Sequence, residues 1–168
     1  ELDFVVAGEG ELALKQCIER LTQGKGFEGL KGVAYRNNGA IVTNGYAERI
    51  ENLDTLPIPE RGLLDTFEWY LSPPGNIRGK VFSRIARLIT SRGCPYNCIF
   101  CTSHSVFGRK VRRRSVENVI QELDYLYRAY RIRGFYFVDD IFTLDKNWVK
   151  LFCDEIIRRK MKFAWAAQ

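Results

Sequence analysis

No apolar run in this sequence approaches the roughly 18–20 residues that a helix needs to cross a bilayer, which excludes a membrane span. Proline is scarce, and four of the five, Pro57, Pro59, Pro73 and Pro74, fall between positions 50 and 80. With 14 glycines in 168 residues there is no collagen-like repeat. Histidine is almost missing: His104 is alone. The five cysteines are an odd number, and three of them crowd into eight positions, which is a poor disulfide framework. No secretory pattern precedes them, so a reducing compartment and a metal are expected, with the cytoplasm as the location. The chain opens at Glu1 in a stretch that reads as the interior of a fold, and an excerpt of a longer protein is expected.

What is present is an ordinary globular composition, 46% hydrophobic, 27% charged and 13% aromatic. Lys and Arg number 26 against 20 Asp and Glu, a net +6. Part of the excess is local, at Arg109, Lys110, Arg112, Arg113 and Arg114. Such a run suits nucleic acid, phosphorylated metabolites, carboxylates or plain solvation; by itself it chooses no partner, and nucleic acid is not indicated.

Along the chain, residues 2–7 read as a buried strand, turned by Gly8-Glu9-Gly10-Glu11 into a helix with Leu14, Cys17, Ile18 and Leu21 on one stripe. Two β-type runs, 32–36 and 40–43, flank Asn37-Asn38-Gly39 and predict a hairpin. The Pro-rich stretch then reads as an ordered connector. Beyond it come a strand at 85–90, a helix capped by Ser115, a strand at 135–138 and a helix capped by Asp145. A third strand is read at 162–166. Strand–helix–strand–helix–strand predicts parallel pairing. Cys17 and Cys153 fall on inward helix faces and read as core.

The segment Ser91-Arg92-Gly93-Cys94-Pro95-Tyr96-Asn97-Cys98-Ile99-Phe100-Cys101 carries the chemistry. Three cysteines spaced C-x3-C-x2-C place three soft ligands on one loop. A closed structural zinc site uses four ligands, and ordinary ferredoxin clusters are held by four cysteines, so neither template fits well.

With Phe100 just before its last cysteine, this loop resembles that of the radical S-adenosylmethionine (radical SAM) enzymes. The resemblance implies a [4Fe-4S] cluster on Cys94, Cys98 and Cys101, its fourth iron chelated by S-adenosylmethionine. Reductive cleavage of that cofactor would give a 5′-deoxyadenosyl radical, or the cofactor would serve radical methyl or methylthio transfer. It implies contacts to S-adenosylmethionine from Phe100 and from Asp139 and Asp140 at the end of the second strand, although the Gly-Gly-Glu form of many members is missing there. No catalytic residue is assigned, the substrate is unread, and an electron donor such as a flavodoxin or ferredoxin is implied.

Phe4-Val5-Val6-Ala7-Gly8-Glu9-Gly10-Glu11, the hairpin, Leu53-Asp54-Thr55-Leu56-Pro57-Ile58-Pro59 and the cysteine loop follow in an order that resembles the subgroup with an N-terminal cobalamin-binding-type domain. The resemblance makes cobalamin a candidate cofactor and no more, since the family's ligating-histidine motif lies outside these residues.

The fold class expected is α/β: the C-terminal end of a Rossmann-like domain followed by the first units of a partial (β/α) TIM-like barrel. Residues 1–50 would close the first domain, 51–80 form the connector and 81–168 begin the barrel. His104, two residues beyond Cys101, keeps an alternative open, a Cys3His zinc or electron-transfer iron–sulfur binding module. Arg113 and Arg114 are candidates for meeting a cofactor or substrate carboxylate.

Overall fold

The computed structural model describes residues 2–67, 71, 75–77 and 79–167. Pro73, Pro74 and Gln168 lie outside the described residues. The chain divides into two compact units, Glu1–Glu51 with Gly93–Lys110, and Asn52–Arg92 with Val111–Gln168.

In the first unit, β1 (Phe4–Val6) leads into α1 (Gly10–Thr22), followed by β2 (Val33–Asn37) and β3 (Ala40–Thr43). The strands form an antiparallel sheet in the order β1-β2-β3. The Asn-Gly signal is a two-residue hairpin turn: Asn38 and Gly39 both take positive φ, 48° and 84°, which matches the twist of the flanking strands. Ala13, Cys17, Leu30 and Val33 form a small core with Phe4, Phe27 and Tyr35 packed against it. The helix stripe is only partly used. Cys17 is fully buried, whereas Leu14, Ile18 and Leu21 are each about half exposed. The sheet meets one edge of the stripe, at Ala13 and Cys17, and leaves the rest uncovered by described residues. The unit also contains the short α2 (Ser103–Phe107), which follows the last cysteine of the loop.

The second unit contains a short hairpin of β4 (Gly75–Ile77) and β5 (Lys80–Phe82), then β6 (Ile85–Leu88) and β7 (Ser91–Arg92). After residues 93–111 come β8 (Arg112–Arg113), α3 (Val116–Ala129), β9 (Gly134–Phe137), α4 (Lys146–Arg158) and β10 (Ala164–Ala167). The order β10-β9-β6 is parallel throughout, Leu88 and Ala167 both aligning with Phe137. An α/β fold with a parallel sheet is therefore present.

Both helix starts follow their caps. Ser115 Oγ accepts from Asn118 N at 3.1 Å, and Asp145 Oδ1 accepts from Trp148 N at 3.0 Å. Their inner faces, Val119, Ile120, Leu123 and Leu126 from α3 and Trp148 and Phe152 from α4, cover the sheet residues Ala86, Leu88, Phe135 and Phe137. At about 1.5–3 kcal/mol for each large apolar side chain buried, this layer dominates the stability of the unit. Cys153 packs against it from the half-buried side.

A polar knot sits within this apolar unit. Glu122, 2% exposed, lies on the inward side of α3. Its carboxylate accepts from Arg61 Nη2 at 2.7 Å and Arg114 Nη1 at 2.6 Å. Arg61 belongs to a 3-10 turn (Arg61–Leu63) of the connector, so the knot ties that segment to α3. A second tie runs from Tyr125, whose hydroxyl bonds Glu60 at 2.8 Å.

Candidate metal centre and its neck

The cysteine loop is an excursion from a narrow base. β7 and β8 pair antiparallel, Ser91 with Arg113 and Arg92 with Arg112, so residues 93–111 leave and return through one two-stranded neck. Arg114 N donates to Thr90 O at 2.8 Å and extends the pairing by one step. Within the loop, Cys94 N donates to Gly108 O at 3.2 Å and Cys101 N to Cys98 O at 3.1 Å. Gly93 is required where the strands close: its φ is 92°, and a Cβ there would fall 2.4 Å from the Lys110 carbonyl oxygen. Arg109 Nη2 reaches Asn97 Oδ1 at 2.6 Å, and Lys110 Nζ reaches Glu51 Oε2 at 2.5 Å.

All five cysteines are free thiols. Cys94 and Cys101 are half-buried and Cys98 is exposed, as are Tyr96, Ile99 and Phe100. Among the described residues no group of three or more His, Cys, Asp or Glu side chains lies close enough to hold a metal ion. What the loop offers is donor chemistry and spacing, three unpaired soft sulfurs on one short excursion, and these suit an iron–sulfur cluster. His104, on α2, lines a surface cleft of about 530 Å³ with Tyr46, Arg49 and Ser105.

At the end of β9 the two aspartates part. Asp140 is exposed. Asp139 is 1% exposed, and protein donors occupy its carboxylate. Its Oδ1 accepts from Thr90 N at 2.6 Å and Ser91 N at 3.2 Å. Its Oδ2 accepts from Ser91 Oγ at 3.0 Å and, in a short bond, from Thr90 Oγ1. Arg113 Nη1 stands 3.7 Å from Oδ2.

Neither arginine proposed for ligand contact is free for it. Arg113 lies 4.7 Å over the Trp148 ring and donates to the Ile141 and Phe142 carbonyls, at 3.3 and 3.1 Å. Burial lowers its pKa from the ordinary value, with Asp139 and Asp145 opposing the shift. Arg114 is committed to Glu122, to Asn118 Oδ1 at 2.6 Å and to Ile89 O at 3.0 Å. The sequence reading missed Glu122, Thr90 and Ser91. Glu122 was detectable as an acid set into the apolar stripe Val119, Ile120, Leu123 and Leu126. Thr90 and Ser91 carried no comparable signal.

Residues 88–167, which contain the cysteine loop, the neck, both helices and the last two strands of the parallel sheet, match the Radical SAM superfamily. This segment resembles a radical SAM domain. Among curated proteins, the chain is 36% identical over 166 residues to the uncharacterized methyltransferase PH0819 of Pyrococcus horikoshii, covering 99% of this chain and 34% of that protein. It is 29% identical to the anaerobic magnesium-protoporphyrin IX monomethyl ester cyclase of Rubrivivax gelatinosus, covering 98% of this chain and 29% of that one.

Among solved structures, the radical SAM enzyme OxsB, described as cobalamin-dependent and holding aqua-cobalamin and S-adenosylmethionine, superimposes with a TM-score of 0.74 at 25% identity. That match covers 96% of this chain and 22% of OxsB. The radical SAM methyltransferase TsrM of Kitasatospora setae shares the fold, with a TM-score of 0.63 at 21% identity, over 94% of this chain and 30% of that one. The chain thus spans about a third or less of the length of these relatives. The radical SAM match includes Cys94, Cys98, Cys101 and Asp139, and the OxsB likeness extends over the segment before them.

Proposed function

We propose that the full-length protein is a radical SAM enzyme of the cobalamin-associated subgroup, acting on a substrate that these residues do not define. The observation that carries the reading is the C-x3-C-x2-C loop of free thiols inside the segment that matches the superfamily. Cys94, Cys98 and Cys101 would hold the [4Fe-4S] cluster, which when bound supplies the electron for reductive cleavage of S-adenosylmethionine. Phe100 would offer an exposed aromatic face to that cofactor, and Asp140 a carboxylate suited to an ammonium group. The expectation that the Asp139 carboxylate also takes the ammonium is revised: its oxygens are occupied by Thr90 and Ser91, so Asp139 would contribute to the site through the neck.

Methyl transfer is the reaction favoured by the name of the 36% identical relative, and cyclisation is the second reading, favoured by the magnesium-protoporphyrin relatives. Cobalamin belongs to the proposal through the likeness to OxsB. The domain reading is residues 1–50 as the end of a Rossmann-like, cobalamin-binding-type domain, 51–80 as the connector and 81–168 as the opening of a partial (β/α) barrel. A flavodoxin- or ferredoxin-type donor would supply the electron. No helix among the described residues is long and apolar enough to cross a membrane. A cytoplasmic location is proposed from the unpaired cysteines.

The test is anaerobic reconstitution of the full-length protein with iron and sulfide, then electron paramagnetic resonance of the reduced protein with and without S-adenosylmethionine. A four-iron signal that shifts on adding the cofactor, is lost in Cys94→Ala, Cys98→Ala or Cys101→Ala, and survives in Cys17→Ala and Cys153→Ala is the expected result. Bound zinc without a cluster would overturn the reading in favour of the zinc-module alternative.

A further inference from the structure

We propose that Asp139 is a positioning residue for the cysteine loop, its carboxylate clamping both strands of the neck through which residues 93–111 leave and return. The inference rests on the iron–sulfur reading above and adds to it a residue that touches no ligand. The parallel ladder of β6 and β9 extends to Val138 N, which donates to Leu88 O at 2.9 Å. Beyond that point the chain must turn out of the sheet to enter β7, and the backbone N–H groups of Thr90 and Ser91 need acceptors there. Asp139, the next residue after that last rung on the neighbouring strand, accepts both on one oxygen and takes both hydroxyls on the other.

The returning strand is held from the same point. Arg113, on β8, stands 3.7 Å from the carboxylate and donates to Thr90 Oγ1 at 3.2 Å. Its guanidinium also reaches the Phe142 carbonyl and lies over Trp148, so the returning strand is fixed to the hydrophobic layer below. One buried carboxylate thereby sets the exit of Ser91, three residues before Cys94, and the return at Arg113. Four hydrogen bonds to one carboxylate, all of them buried, make a rigid joint. An oriented loop base restricts the arrangements open to the three thiols, and this is the manner in which outer groups tune ligand sets.

The test uses the full-length protein carrying Asp139→Ala or Asp139→Asn, with Leu126→Ala, far along α3 from the neck, as a control that lowers stability from the hydrophobic layer. Amide hydrogen exchange on the metal-free protein needs no cluster. Asp139→Ala should raise exchange at residues 90–94 and 111–114 by on the order of 100-fold over the control, with strand β9 changed no more than in the control. After reconstitution it should hold iron roughly 10–100-fold more weakly. Asp139→Asn should recover most of both, because its amide oxygen still accepts the two N–H groups and the hydroxyls can turn to accept from its NH2.

Should Asp139→Ala not fold, Thr90→Val with Ser91→Ala removes two of the four donors and must show the same pattern at smaller size. Exchange and iron affinity equal to those of the control would overturn the clamp. Wild-type protein that takes up no four-iron cluster would overturn the iron–sulfur reading and the positioning role with it, while the exchange measurement still reports the joint on its own.

Discussion

Glu122→Ala removes the buried acid that ties the connector to α3. The side chain is 3% exposed and faces two guanidinium groups whose own side chains are each 13% exposed, so solvent screens little of the interaction. Removing the carboxylate strands both cations, and breaking a buried pair in this way costs about 3–5 kcal/mol. The lower end applies here. Arg114 keeps Asn118 Oδ1 and Ile89 O, and Arg61 keeps Pro59 O at 3.1 Å. A loss of about 3 kcal/mol in a unit of this size lowers the melting temperature by roughly 12–24 °C.

Glu122→Gln preserves the shape but points an NH2 at one guanidinium, and should cost about 2 kcal/mol. Urea titration followed by tryptophan emission measures both, with an unchanged slope required for the comparison. Raising the salt concentration should leave the differences intact, because a buried pair is poorly screened. A Glu122→Ala protein within 1 kcal/mol of wild type, or a difference that salt abolishes, would refute the reasoning.

Two further outcomes are expected. Gly93→Ala forces a side chain into φ 92° and against the Lys110 carbonyl, costing about 1–3 kcal/mol and reducing iron uptake, with the iron-to-protein ratio and the urea midpoint as readouts. Hydrogen bonds from Arg158 and then Arg159 hold the Glu155 carboxyl down to about 2, below its ordinary 4.5. The folded-state value is depressed, so its stabilisation is full above 4.5 and fades as the pH falls toward 2. The stability gap between wild type and Glu155→Gln, read from urea midpoints across that range, should close on acidification, and a gap independent of pH would refute the assignment.

Much of the second unit was legible because its signals are local. Helix caps at Ser115 and Asp145, the aliphatic periodicity of α3 and the short aromatic run at 135–137 each act within a few residues, and the structure follows them. The cysteine spacing was legible for the same reason. Side-chain partners distant in sequence were not. Asp139 reads as a rim carboxylate because nothing beside it reveals that Thr90 and Ser91, nearly fifty positions earlier, will fill its lone pairs. Arg113 and Arg114 read as ligand contacts because a run of cations looks solvated until Trp148 and Glu122 are seen beneath it. On α1 the period was correct and the burial was not: Leu14, Ile18 and Leu21 share a stripe, and the sheet in this unit meets only its edge.

The aromatic layer has an optical consequence. Of three tryptophans in the sequence, Trp165 lies edge-on to Phe137, with centroids 5.6 Å apart, and Trp148 stacks on Phe152 at 5.2 Å. Trp148 also sits under the Arg113 guanidinium, and its indole N–H donates to Arg114 O at 2.9 Å. A single chromophore is thus wired to α4, to the loop's returning strand and to the start of α3. Its emission colour and lifetime would report movement of the loop's base in real time, with no label attached, whenever a ligand of the cysteines is added or withdrawn.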